Sequence, residues 1–84
     1  MSKVLDIGQD EILVLSELLH RWFDDECGRT IRDRIVDDAE LWALNALNSA
    51  LERNVPEAMN ADYRALLDVA RARVRSRNGG EWPQ

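Results

Sequence analysis

The one histidine of this 84-residue chain, His20, stands three residues after Glu17 and four before Asp24, and the one cysteine, Cys27, follows a turn later. At helical spacing, residues three and four apart project from one face, so Glu17, His20 and Asp24 are a candidate carboxylate–imidazole metal set. A Glu-x-x-His pair is the repeating unit of carboxylate-bridged dimetal centres in helical bundles. Such a centre needs two units and the chain supplies one, so a two-fold oligomer would have to bring copies together through this face. The competing reading is a solvated helix surface with no metal. Cys27 with His20 could also be written as a catalytic pair, but on a helix the two lie about 10 Å apart along the axis, beyond hydrogen-bond reach. There is no Gly-rich phosphate loop, nucleophile elbow or second histidine. The sequence therefore points to a non-enzymatic protein with no cofactor.

Charge offers two further readings. Asp24, Asp25, Glu26, Asp33, Asp37, Asp38 and Glu40 place seven acids within seventeen residues. A knob of that density can bind a partner with a basic surface or imitate nucleic-acid phosphate, as acidic inhibitors and antitoxins do. Arg29, Arg32 and Arg34 dilute it, and acids at helix starts also serve as caps. At the other end, residues 71–84 carry four arginines against one Glu, whereas residues 1–70 carry seven basic and fifteen acidic side chains. Cations in the last turns of a helix stabilise it without any ligand. Arg71 and Arg75 fall on the outer side and Arg73 and Arg77 on the apolar side, so they form no single phosphate-gripping stripe, and the acidic body opposes nucleic-acid binding.

Three tryptophans read differently. Trp22 sits on an apolar face and reads as core. Trp42 borders a stripe of small residues, where a second helix can approach closely. Trp82, after two glycines and before Pro83, has no helical register; it either folds back, stands exposed, or hooks a partner.

Three helices must position these groups. Gly8 as N-cap sets Glu11 at N3 and Ile7 against Ile12 as a hydrophobic staple. From there Ile12, Val14, Leu15, Leu18, Leu19, Trp22 and Phe23 share one face, and Glu17, His20, Arg21 and Asp24 the other. This first helix is expected over residues 9–27, stopping at Cys27-Gly28, since Asp25 and Glu26 would otherwise turn onto the apolar side. Residues Lys3 to Asp6 form a short N-terminal arm. Residues 29–36 read equally as helix, strand or loop, a turn of helix through Ile31 and Ile35 being one option; the second helix, residues 37–54, opens with Asp37 as N-cap, Glu40 at N3 and Val36 stapled on Leu41.

The second helix has two apolar sides. Leu41, Leu44, Leu47, Leu51 and Val55 make a leucine seam, and Ala39, Ala43, Ala46 and Ala50 make the small-residue stripe beside Trp42. Asn45, Asn48, Ser49 and Glu52 form a narrow polar strip, so this helix is expected to be central, touching the first helix on one side and the third helix or a second subunit on the other. Pro56 ends it. The third helix, residues 60–77, turns Met59, Tyr63, Leu66, Leu67, Ala70 and Val74 inward, and Asn78-Gly79-Gly80 stops it. Residues 78–84 form a flexible tail.

With 45% hydrophobic and 32% charged residues, both signs interspersed and a net charge of −5, the chain is too balanced for a disordered acidic tail. No apolar run of about 18 residues and no secretory h-region is present, which predicts neither a membrane span nor a signal peptide, and a cytoplasmic location. One cysteine excludes an intramolecular disulfide. The expected fold is all-α, a compact single three-helix domain: an antiparallel hairpin plus a third helix. A chain this small buries little surface, so oligomerisation is the expected source of additional stability. The leading functional expectation is an acidic interaction or regulatory module, homodimeric through Ala39, Trp42, Ala43, Ala46 and Ala50. The first alternative is an inhibitor or antitoxin-like protein using Asp24, Asp25, Glu26, Asp33, Asp37, Asp38 and Trp82. The second is an oligomeric metal protein using Glu17, His20 and Asp24.

Overall fold

The computed structural model describes residues 7–53 and 62–83. The N-terminal arm, Val55, the Pro56 break, Met59 and the Asn60 start of the third helix lie outside these residues. Within them the chain is all-helical, with α1 (Gln9–Leu19), α2 (Asp38–Glu52) and α3 (Tyr63–Arg77). A π-helical segment, His20–Asp25, continues α1, and a 3-10 turn, Arg32–Arg34, precedes α2.

The ends follow from local chemistry. Gly8 is the N-cap of α1 in extended conformation, with Asp10 and Glu11 in the first turn beside the positive end of the helix dipole. Asp37 caps α2, its Oδ1 accepting from the Ala39 N–H at 2.7 Å. Glu40 reaches back to accept from the Val36 N–H at 2.8 Å, a near relative of the capping box. The hydrophobic half of that motif does not form. Val36 is 91% exposed, while Leu41 turns towards Gly28, where an added methyl would sit 3.6 Å from Leu41 Cδ2 and 3.8 Å from Phe23 Cε1. At the end of α3, Gly79 takes φ +90°. Gly80 N–H donates to Arg75 O at 2.8 Å and Gly79 N–H to Ser76 O at 3.4 Å, the two bonds of a Schellman stop.

The first helix is not α-helical to Cys27, and the reason lies in its own pattern. At α-helical winding Asp25 would turn onto the apolar side. The π segment, with bonds spanning five residues rather than four, brings Asp25 out beside His20, and its side chain is 60% exposed. Gly28 then takes the left-handed conformation expected of it, φ +73°, with Cys27 also at positive φ. Ile31, 7% exposed, anchors the connection as a buried plug just before the 3-10 turn.

α1, rather than α2, is the central element, with α2 packed on one side of it and α3 on the other. Both neighbours run antiparallel to it. His20 and Asp24 meet Glu52 and Asn48 of α2 in reversed order, and Glu17 and Asp10 meet Tyr63 and Arg73 of α3 likewise. The buried side chains are Leu19, Leu51, Leu67 and Ala70 with Ile31, joined by two polar ones, Ser16 and Asn48. Among the described residues, Leu19 and Leu67 are the largest wholly enclosed side chains. Among the described residues no helix covers the alanine stripe of α2: Ala39, Ala43 and Ala46 are exposed and Ala50 half-buried. Alanine favours helix formation through its backbone alone, without being buried. Asn48, grouped by spacing with the solvated strip, is instead 3% exposed, because it faces α1.

Candidate functional site

The antiparallel α1–α2 seam brings His20, Asp24 and Glu52 together. His20 Nδ1 lies 2.8 Å from Asp24 Oδ2 and 4.0 Å from Glu52 Oε1. One nitrogen or oxygen from each of the three lies within 4.8 Å of the others. On the far side of the ring, His20 Nε2 is 3.8 Å from Asp25 Oδ1. This follows from the winding: in an α-helix Asp25 would be rotated about 140° from His20, whereas the π segment sets Asp24 and Asp25 on either side of the imidazole. All four side chains are about half-exposed. Beneath them the Asn48 amide Nδ2 donates to Asp24 Oδ1 at 3.3 Å. Asn48 Oδ1 is buried and has no donor among the described residues.

Glu17 does not join this group. Its Oε2 accepts from Arg21 Nη1 at 3.3 Å and its Oε1 from the Tyr63 hydroxyl at 3.1 Å, tying α1 to α3. Burial pushes the Tyr63 phenol above its ordinary 10.0, and the charge and hydrogen bond of Glu17 push it further, against the pull of Arg71 and Arg64. Of the three candidate ligands, therefore, His20 and Asp24 converge and Glu17 is replaced by Glu52. Spacing alone could not find Glu52, which is 32 positions from His20 and meets it only through the hairpin register.

The acidic connection presents fewer free carboxylates than its sequence suggests. Asp37 and Glu40 are spent on capping α2. Glu26 accepts from the Thr30 hydroxyl, and Asp24 and Asp25 face His20. Asp33 and Asp38 remain exposed. Three of the five arginines of α3 are engaged: Arg77 Nη1 is 3.0 Å from Asp10 Oδ2, Arg77 Nη2 is 3.1 Å from Glu11 Oε2, Arg73 pairs with Asp10 at 3.6 Å, and Arg71 with Asp68 at 3.7 Å. The hydrogen bonds that Arg77 donates to Asp10 and then Glu11 hold its guanidinium above its ordinary pKa.

A second candidate surface lies on the solvent side of α2. Trp42 is 72% exposed at the edge of the alanine stripe. Next to it is an open concavity of about 240 Å³, lined among others by Phe23, Cys27, Gly28, Leu41, Trp42 and Asn45. Trp22, expected in the core, is half-buried. Trp82 is 86% exposed. Among the described residues no helix is long and apolar enough to cross a membrane. No protein-family model matches the chain, and no curated protein or solved structure resembles it significantly.

Proposed function

We propose that the protein is a non-enzymatic interaction module that works as a homodimer, paired through the outer side of α2. The observation that carries this reading is Trp42, which stands 72% exposed on a packed, capped helix. Burying a large apolar side chain is worth roughly 1.5–3 kcal/mol, and a single α2 forgoes most of that gain. Beside Trp42 the exposed Ala39, Ala43 and Ala46 permit close backbone approach, and the concavity at Phe23, Leu41 and Trp42 gives the same face both a knob and a recess. A two-fold interface requires such self-complementarity. Antiparallel pairing would also set Asp38, at the start of one helix, near Arg53 at the end of the other. The thin buried core supplies the thermodynamic motive, since small domains with few enclosed side chains gain disproportionately from association. Cys27, a free and exposed thiol, suits the reducing cytoplasm, where this reading places the protein.

Light scattering on the full chain tests the proposal. The expected result is a mass of two chains at tens of micromolar, with Trp42→Ala weakening the dimer by about tenfold or more, equivalent to about 1.4 kcal/mol. Trp82→Ala should leave it unchanged. A monomer, or a dimer lost with Trp82 and kept without Trp42, would overturn it.

A further inference from the structure

We infer that His20, Asp24 and Glu52 form a mononuclear site for a divalent transition metal of the zinc class, built within one chain across the α1–α2 seam. The site is independent of the homodimer and differs from a dimetal centre shared between copies of the first helix.

The geometry is the first support. Tetrahedral zinc with nitrogen and oxygen ligands at about 2.0–2.1 Å holds its ligand atoms about 3.3 Å apart. The separations from His20 Nδ1, 2.8 Å to Asp24 Oδ2 and 4.0 Å to Glu52 Oε1, straddle that value. Rotamer adjustments of half-exposed side chains are sufficient to close the set, with water as the fourth ligand. One imidazole nitrogen among carboxylates selects a transition metal over calcium or magnesium, which prefer oxygen throughout.

The surroundings are the second support. Metal-binding imidazoles carry their other N–H to a carboxylate or carbonyl; Asp25 Oδ1 stands on that side of the ring, 3.8 Å from His20 Nε2, which is outside hydrogen-bond length as the side chains now lie. Metal-binding carboxylates are themselves held by hydrogen bonds, and Asn48 Nδ2 holds Asp24 Oδ1 while Oδ2 remains directed at His20. The Asn48 amide cannot be turned over without setting oxygen against carboxylate oxygen. Its Oδ1 is therefore a buried acceptor next to a ligand carboxylate, with no donor among the described residues. Buried polar atoms without partners are uncommon and costly.

Charge balance is the third support. Among the described residues, Asp24, Asp25 and Glu52 make no ion pair with an arginine or lysine; their one cationic neighbour is the His20 ring, when protonated. Elsewhere on α1, Asp10 and Glu11 are matched by Arg73 and Arg77, and Glu17 by Arg21. Three converging carboxylates with no permanent cation are a local deficit that a divalent ion corrects.

The test is titration of the full chain with zinc by calorimetry, with cobalt as a spectroscopic stand-in. The expected result is one zinc per chain, a cobalt complex with the intense visible absorption of tetrahedral coordination, and a zinc-dependent rise in melting temperature. His20→Gln and Glu52→Gln, both at half-exposed positions, should each weaken zinc binding at least tenfold while keeping the helical circular dichroism of the parent. Glu17→Gln should bind as the parent does. Absence of saturable binding would overturn the assignment. So would binding that survives both His20→Gln and Glu52→Gln, or binding lost with Glu17→Gln alone.

Discussion

The two seams of α1 solve the same packing problem with opposite electrostatics. Against α3, α1 closes with matched groups: Asp10 and Glu11 on Arg73 and Arg77, Glu17 on Tyr63, around the fully enclosed Leu67. Against α2, the seam begins in equally ordinary packing, Leu41 and Phe23 over Gly28, but ends in three carboxylates around one imidazole, above an amide oxygen with no donor. The first seam is complete in itself and reads as scaffold. The second has unspent polar chemistry at its end and an unburied apolar face on its outer side, and both candidate functions belong to it.

Damage to the scaffold seam should cost the most. Leu67→Ala removes a side chain with no solvent exposure, and a buried Leu→Ala change costs about 2–5 kcal/mol. For a domain with so little enclosed apolar volume, chemical denaturation should show a large loss of stability and, at the upper end, a chain unfolded at ambient temperature. The cap between the seams ranks next. Asp37→Ala leaves the Ala39 N–H without its acceptor and should cost about 1 kcal/mol, typical of an N-cap. Arg77→Ala should cost less than the cap, because exposed ion pairs are screened and entropically expensive, and the difference in denaturation midpoint should shrink further in high salt.

The smallest effect falls on the scaffold seam. Tyr63 is the one tyrosine, so its titration can be followed directly by tyrosinate absorbance. Burial and Glu17 raise its pKa above 10.0 in the folded chain, so the folded protein keeps a proton that the unfolded chain loses. The resulting stabilisation is fully present below pH 10.0 and is lost as pH rises through the folded pKa. Glu17→Gln should move the midpoint part of the way back, leaving the shift due to burial. An unchanged midpoint would remove Glu17 from the matched seam.

The contrast also shows where sequence reading succeeds. Features set by neighbouring residues were legible: the Gly8 and Asp37 caps, the left-handed Gly28, the stop at Asn78-Gly79-Gly80 and the all-helical class. Features set by which helix meets which were not. Counting Ala39, Ala43 and Ala46 as a buried side made α2 look central, whereas the surrounding leucines of α1, with Ser16 among them, let that helix pack on two sides. The π winding at His20–Asp25 has no spacing signature of its own, although Asp25 on an apolar side marks where regular winding cannot continue. Asn48 and Glu52 entered the site through antiparallel register, a long-range property that spacing within one helix does not carry.

The most direct test of the central claim, that the outer side of α2 is where two copies meet, is disulfide trapping at Ala46 in the middle of the stripe. In a Cys27→Ser background, Ala46→Cys should form a covalent dimer rapidly under mild oxidation, while Arg64→Cys, exposed on α3, should remain a single chain. Equal cross-linking at both positions, or none at Ala46, would contradict the claim.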